Sequence, residues 1–379
     1  MSTTALAELT ADFEQPFEAL GRDAVQDQST VVISWPSVPI EIIRAAGFRP
    51  VLARGLPLPT PAADAVLEPG LFPSRLRQLV EAALTGRLKN IAALIVPRTS
   101  DSDYKCFLYL REFERLGDVR LPPVLLFDLL QSAGPEVPAY DRARTAALRE
   151  RLSALAGRQI SHDDLAVEIA ATNAARAAAR RLGALRRGEP RVTGSEAFPL
   201  LAAFWQCAPE RYAALAAAAV DAFAARSPLT GPRVLLVGAP VDGTGLHRAI
   251  GSKGGTVSAE SSAFTSAGAG EDVSAAVDPI TALADKYRRD SITARLPVAV
   301  LERRIEDAVA AVDAVAVSLP PDDASFGFDY PRLCEFAARR SIPHAVLKGE
   351  PALPATAADL ERIATLLAGV VDRREARVG

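Results

Sequence analysis

Arg98-Thr99-Ser100-Asp101-Ser102-Asp103 gathers a guanidinium, three hydroxyls and two carboxylates into six consecutive residues. The apolar run from Ile91 to Val96 and then Pro97 precede it, a pattern that predicts a strand buried on both faces and stopped by proline. The polar residues therefore fall at a strand's carboxyl end. In open parallel sheets ligands bind at that edge, and the next helix offers unpaired N–H groups there. The same residues also make an ordinary helix entry, with Ser100 or Asp101 as N-cap of the helix carrying Phe107, Leu108 and Leu110.

A second polar turn, Val237 to Gly245 (VGAPVDGTG), follows a strand and opens a helix. That context invites a dinucleotide reading, with Gly238 and Gly243 beside the cofactor. The turn departs from G-x-G-x-x-G, because Pro240 and Asp242 stand where the backbone approaches the phosphates. The P-loop pattern is missing as well. Among the histidines, His162 sits in a helix cap and His344 starts a strand, while His247, one turn beyond the glycines, is the one placed to meet a ligand. A lone histidine also serves as a plain structural residue. Cys106, Cys207 and Cys334 are odd in number and match no C-x-x-C spacing, so they indicate neither a disulfide framework nor a local metal site.

The elements that must position these residues alternate. Thr30 to Ser34, Pro50 to Ala53, Ile91 to Val96 and Pro123 to Phe127 read as strands, separated by helices at Pro39 to Gly47 and from Pro73 to Gly86. Strand and helix alternation argues for a parallel sheet with helices on both faces. From about Tyr140 to Arg226 the composition turns to Ala, Leu and Arg, with Ser161 to Asp164 capping a helix through Arg187 and Thr193 to Glu196 capping another. Alternation then resumes with strands at Pro232 to Gly238, Thr256 to Ala259, Ala314 to Leu319 and His344 to Leu347, and helices at Gly243 to Gly251, Asp278 to Asp290, Val298 to Val312 and Ala357 to Val371. Small-residue and polar loops fill Glu260 to Gly270 and Pro320 to Asp329. The expected fold is α/β, with two doubly wound, Rossmann-like parallel-sheet lobes joined by a helical segment. The expected divisions are an N-terminal helix over 1–28, a first lobe over 29–139, a helical connector over 140–228 and a second lobe over 229–379.

Composition narrows the partners. The 379 residues are 49% hydrophobic and 23% charged, with 43 Lys+Arg against 46 Asp+Glu and a net charge of -3. That balance suits a soluble globular protein and lacks the basic field that nucleic-acid binding needs. The acid-bearing N-terminus does not fit a secretion signal, and no apolar run is long enough to span a bilayer. A cytoplasmic protein is expected.

Four stretches resemble the landmarks of one family. Pro39-Ile40-Glu41-Ile42-Ile43-Arg44-Ala45-Ala46-Gly47-Phe48-Arg49-Pro50-Val51 is the most specific; Val96 to Asp101, Asp278 to Ala284 and Ser341 to His344 follow in order. Together they resemble the 2-hydroxyacyl-CoA dehydratase and benzoyl-CoA reductase family, the group named for the D-component of 2-hydroxyglutaryl-CoA dehydratase. The resemblance runs from about Val31 to Val371. It implies paired α/β lobes, two related subunits, a cysteine-held iron–sulfur cluster, typically [4Fe-4S], in each subunit, and an ATP-dependent activator protein that supplies low-potential electrons for chemistry on an acyl-CoA.

One departure shapes the expectation. Where the family pattern P-x-T-C-D carries a ligand cysteine, this chain reads Pro97-Arg98-Thr99-Ser100-Asp101. A hydroxyl is a hard, weak ligand for iron, whereas such clusters are held by thiolates. The loops 68–73, 260–270 and 320–329 contain no cysteine either. The three thiols fall on helices, where buried small apolar residues are their ordinary use. The resemblance then implies a subunit that supports an acyl-CoA site with no metal and no cluster of its own, beside a cysteine-containing paralogous subunit. Two alternatives stay open: a non-catalytic acyl-CoA-binding or regulatory protein, and an enzyme of non-redox acyl-CoA chemistry. In the last, Glu41, Asp101 and Asp103 supply carboxylates, Ser34, Ser37 or Ser100 donates to a thioester carbonyl, and Arg98 holds a CoA phosphate or simply covers a strand end. Glu41 also suits the dipole of its own helix.

Overall fold

The computed structural model describes residues 4–11, 13, 29–54, 58–68, 70–117, 119–239, 241, 243–265, 269–290, 293, 303, 306–309, 311–320, 323, 326–349 and 354–376. In the first half β1 (Thr30–Ile33), α1 (Ile40–Ala45), β2 (Arg49–Leu52), α2 (Pro61–Asp64), α3 (Ser74–Leu84), β3 (Ala93–Pro97), α4 (Asp101–Leu116) and β4 (Val124–Phe127) follow one another. The middle is helical: α5 (Val137–Ala156), α6 (His162–Ala184), α7 (Gly194–Ala202), a 3-10 turn (Ala203–Trp205) and α8 (Pro209–Ala224). The second half holds β5 (Arg233–Gly238), α9 (Gly245–Ser252), β6 (Thr256–Glu260), α10 (Pro279–Arg289), β7 (Ala314–Ser318), α11 (Tyr330–Arg339), β8 (His344–Leu347) and α12 (Ala357–Ala376).

Both halves build the same sheet. The orders are β2-β1-β3-β4 and β6-β5-β7-β8, and every pairing is parallel. The register repeats too: Leu94 N donates to Pro123 O at 3.0 Å, and Val315 N donates to Pro343 O at 2.9 Å. The strands are rich in Val, Ile and Leu because helices cover both faces. Chain order reverses between β1 and β3, and again between β5 and β7, so each lobe has a switch-point crevice at its strand ends. The chain is thus the expected α/β protein of two Rossmann-like lobes.

Capping boxes start α6 at Ser161/Asp164 and α7 at Thr193/Glu196. The alanines of α6 and α8 have a packing purpose. Ala175, Ala178 and Ala179 share one buried cluster with Ala216 and Ala219, and that cluster runs on to Val31 and Ile33 of β1 and to Phe264, Leu283 and Tyr287 of the second half. Smaller cores fill the other face of the first sheet and both faces of the second. The helix read at Val298 to Val312 lies mostly outside the described residues. Among those described, no helix is long and apolar enough to cross a membrane.

Candidate functional site

The first-lobe crevice is built from the ends of β1 and β3 and the first turns of α3 and α4. β1 leads into Ser34, Trp35 and Ser37, all buried; Ser34 N continues the ladder by donating to Ile95 O at 3.0 Å. The Ser34 hydroxyl is enclosed and has no hydrogen-bond partner among the described residues. An orphaned buried hydroxyl costs about 1–3 kcal/mol, so this one awaits an acceptor or donor. β3 leads through Arg98 and Thr99 to Ser100, whose extended backbone (φ -149°, ψ 170°) and side chain cap α4 by accepting from Asp103 N at 3.1 Å.

Asp103 is the hub of this edge. It is fully buried and accepts from the hydroxyls of Thr99 and Ser100, the latter at 2.8 Å. Arg75 Nη2 lies 2.7 Å from its Oδ1, while Arg75 Nη1 donates to Ser34 O at 3.3 Å. The guanidinium also stacks 4.4 Å from the centroid of the Trp35 ring. Ser34, Ser100 and Asp103 are thus tied into one largely buried polar knot through Arg75. Cys106 lies one turn beyond Asp103, and burial, helped by the Asp103 charge, pushes its thiol up to about 12. Such a thiol is neither nucleophile nor ready ligand.

Residues of the second half pack against this edge and against the start of α1. Trp35 meets Phe264 edge-on at 5.3 Å, Tyr287 Oη lies 3.3 Å from Ile40 N, and the Thr293 hydroxyl donates to Thr99 O. Phe264 follows β6, whereas Tyr287 lies on α10 and Thr293 just beyond it.

The other residues read from the sequence divide. Arg98 is spent on Asp128 at 3.4 Å and on the Tyr104 ring, 4.6 Å from its centroid, and is one-third exposed at the rim. Asp101 is exposed on the first turn of α4. Glu41 does not face the crevice. It is completely buried, ion-paired with Arg176 of α6, and accepts from Thr172 at 3.1 Å and from the Tyr287 hydroxyl at 2.9 Å. Burial alone would raise its pKa, but the Arg176 charge and hydrogen bond outweigh that and hold it below the usual carboxylate range. A carboxylate so satisfied joins first lobe, connector and second half, and it makes a poor general base.

His247 is also turned inward instead of meeting a ligand. It is 2% exposed, packs against Phe198 with ring centroids 4.8 Å apart, and its Nε2 lies 3.1 Å from Glu260 Oε2. Glu260 pairs with Arg186 as well; against the upward pull of burial, Arg186 and His247 hold the carboxyl at about 2. Gly238 is required by its neighbour strand: at φ 118° a Cβ would sit 2.1 Å from Ser318 O. Gly243 has nothing within 4 Å of its notional Cβ. Its lack of a side chain answers no close approach among the described residues.

Arg75, Trp35, Arg176, Tyr287 and Lys286 escaped sequence reading. Arg75 alone carried a local signal, since a cation in the first turn opposes the helix dipole and needs a tertiary reason. Lys286 is buried, donates to Ala269 O at 2.9 Å, and is brought down to about 7 by burial and the nearby Arg176 charge.

A comparison with curated proteins finds no match. The family model for 2-hydroxyglutaryl-CoA dehydratase, D-component, matches residues 37–365, a span that takes in Arg75, Ser100 and Asp103, the helical middle and the strands of the second sheet. This chain therefore belongs to the 2-hydroxyglutaryl-CoA dehydratase D-component family.

Proposed function

We propose that this chain is a subunit of a 2-hydroxyacyl-CoA dehydratase-type complex that supports an acyl-CoA site without ligating an iron–sulfur cluster of its own. The observation that carries the reading is what Ser100 does. Where the family pattern places a thiolate, the Ser100 hydroxyl donates to Asp103 and caps α4. A hard oxygen already committed on both counts does not fit an iron ligand. The three thiols stand on separate elements, α4, α11 and the turn before α8, and the one nearest the knot is kept protonated by burial. No cluster step is assigned to these residues. They line the strand-end crevice of the first lobe, with the Ser34 hydroxyl buried and unpartnered among the described residues and an Arg75 guanidinium held beside it. Such a crevice can orient a thioester and exclude water.

The redox chemistry then belongs to a cysteine-bearing paralogous subunit, served by an ATP-dependent activator. The non-redox enzyme alternative is weaker, because Glu41 is committed to Arg176 while Asp101 faces solvent. The test is iron and acid-labile sulfide, with an electronic spectrum, on protein purified without oxygen, alone and after co-expression with a cysteine-bearing homologue. Iron confined to the co-purified complex is the expected result. Near-stoichiometric iron in the isolated chain overturns it, and absence of both iron and complex formation replaces it with a stand-alone binding protein.

A further inference from the structure

Among the described residues β4 and β8 each end their sheet, pairing with another strand on one side only. Leu94 N donates to Pro123 O at 3.0 Å and Arg98 N to Phe127 O at 2.9 Å, so the odd-numbered positions of β4 turn their peptide groups towards β3. By the alternation of a parallel ladder the peptide groups of Val124 and Leu126 point the other way. They open into a groove of about 400 Å³ that Tyr104, Phe107 and Leu148 help to line. α4 and α5 flank it on opposite faces of the sheet, since Phe107 and Leu110 pack in one core and Leu148 and Leu152 in the other.

The charge around this groove is one-sided. Arg111, Arg144 and Arg151 line it against the single carboxylate of Glu114. Arg144 reaches in to Leu126 O at 3.4 Å, and Arg111 lies 5.6 Å from the Phe107 ring centroid. Among the described residues none of the three forms an ion pair. Arg144 and Arg151 are two helical turns apart, about 10 Å, within side-chain reach of same-face strand residues two to four positions apart, about 7–13 Å. Side chains of an added strand alternate between faces, so acids on one face would meet Arg144 and Arg151 and acids on the other Arg111. At the matching β8 edge Arg362 is paired with Asp359 at 2.9 Å, whereas Arg373, like Arg144, donates to a backbone carbonyl.

We propose that the open edge of β4 docks an extended acidic segment of a partner protein, added to the first sheet as a fifth strand. Backbone bonds to Val124 and to the Leu126 N–H supply the attachment, and the three arginines, with Arg144 turning from Leu126 O to the incoming acid, select acidic over basic segments. The proposal stands independently of acyl-CoA binding.

The test uses the full chain and three fluorescent octapeptides: one repeating Glu-Glu-Val-Val, which puts acids on both faces of a strand, one with Lys in place of Glu, and one acidic peptide with alternate amides N-methylated. Anisotropy should show the acidic peptide binding at least about tenfold tighter than the lysine peptide. The Arg111→Glu/Arg151→Glu double variant, with an unchanged circular dichroism spectrum and melting temperature, should lose about tenfold in affinity. N-methylation should weaken binding as well. Equal binding of acidic and basic peptides, or an unaffected double variant, overturns the proposal. An N-methylated peptide as tight as its parent also overturns it, because attraction without strand addition would then suffice. Displacement of the peptide by millimolar ADP, but not by chloride of equal ionic strength, overturns it in favour of a small-anion site.

Discussion

Buried Asp103 draws donors from Arg75, Thr99 and Ser100, so removing any one leaves charge or backbone unsatisfied. Ser100→Ala deletes both the cap of α4 and one donor to Asp103; the expected loss is about 1–2 kcal/mol of stability, read as a lower urea midpoint at unchanged slope. Ser100→Thr keeps a hydroxyl and should recover most of it. Cys106 makes a second expectation. With its thiol pushed up to about 12 by burial, it should react with an aromatic disulfide reagent only as the protein unfolds, whereas the half-buried Cys207 and Cys334 should react in the native state. Equal rates for all three thiols would remove the claim that Cys106 is only core. At this scale the sequence was readable where the chemistry is local. A cap spans three residues, so Ser100 announced itself; the Arg75–Asp103 bond spans 28 positions and was invisible to any pattern of spacing. His247 and Glu41 misled for the same reason, since a polar residue near a strand end looks alike whether its partner is a ligand or a distant arginine.

Among the elements, α6 does the joining. Arg176 holds Glu41, Asn173 exchanges two bonds of 2.9 Å with the backbone of Val273, and Arg180 reaches Gly270 O at 2.9 Å and Asp272 at 2.8 Å. One helix thus fixes the first lobe's α1 and a loop of the second half. Glu41→Ala leaves the Arg176 charge buried without its carboxylate and should cost about 3–5 kcal/mol. Glu41→Leu combined with Arg176→Met removes both charges and should cost clearly less than Glu41→Ala alone, as measured by chemical denaturation at fixed pH. A double variant as damaging as the single would mean that the pair contributes shape and not charge compensation. The eight strands were legible within a residue or two because apolar runs and Gly or Pro boundaries mark them directly. The work of α6 was not: its Ala and Arg composition declared helix propensity alone, and its ion-pair partner Glu41 lies 135 positions away.

For the whole molecule, the buried charges set a pH window. Glu260, held at about 2 against an ordinary 4.5, binds its proton less readily folded than unfolded. Its contribution is therefore complete above about pH 4.5 and is lost as pH falls through about 2. Lys286 acts at the other end. Its folded value of about 7 lies below the ordinary 10.5, so between those values the unfolded chain carries a proton that the folded chain has released. Stability should then rise with pH across that interval, by at most about 1.4 kcal/mol per pH unit from this one group. Below pH 7 the ammonium is present in both states, and the folded state bears the cost of burying it. The groups facing it set the balance: Asp290, with Oδ2 3.9 Å from Nζ, and Glu41 favour the charge, while Arg176 and Arg289 oppose it. Because Nζ holds Ala269 O in the segment that α6 also grips, the effect should reach the seam between the halves. Lys286→Met keeps the length of the side chain and removes the proton. Urea midpoints measured from pH 6 to 10 should climb in the parent protein and flatten in Lys286→Met; an undiminished climb in the variant would assign the pH dependence to other groups.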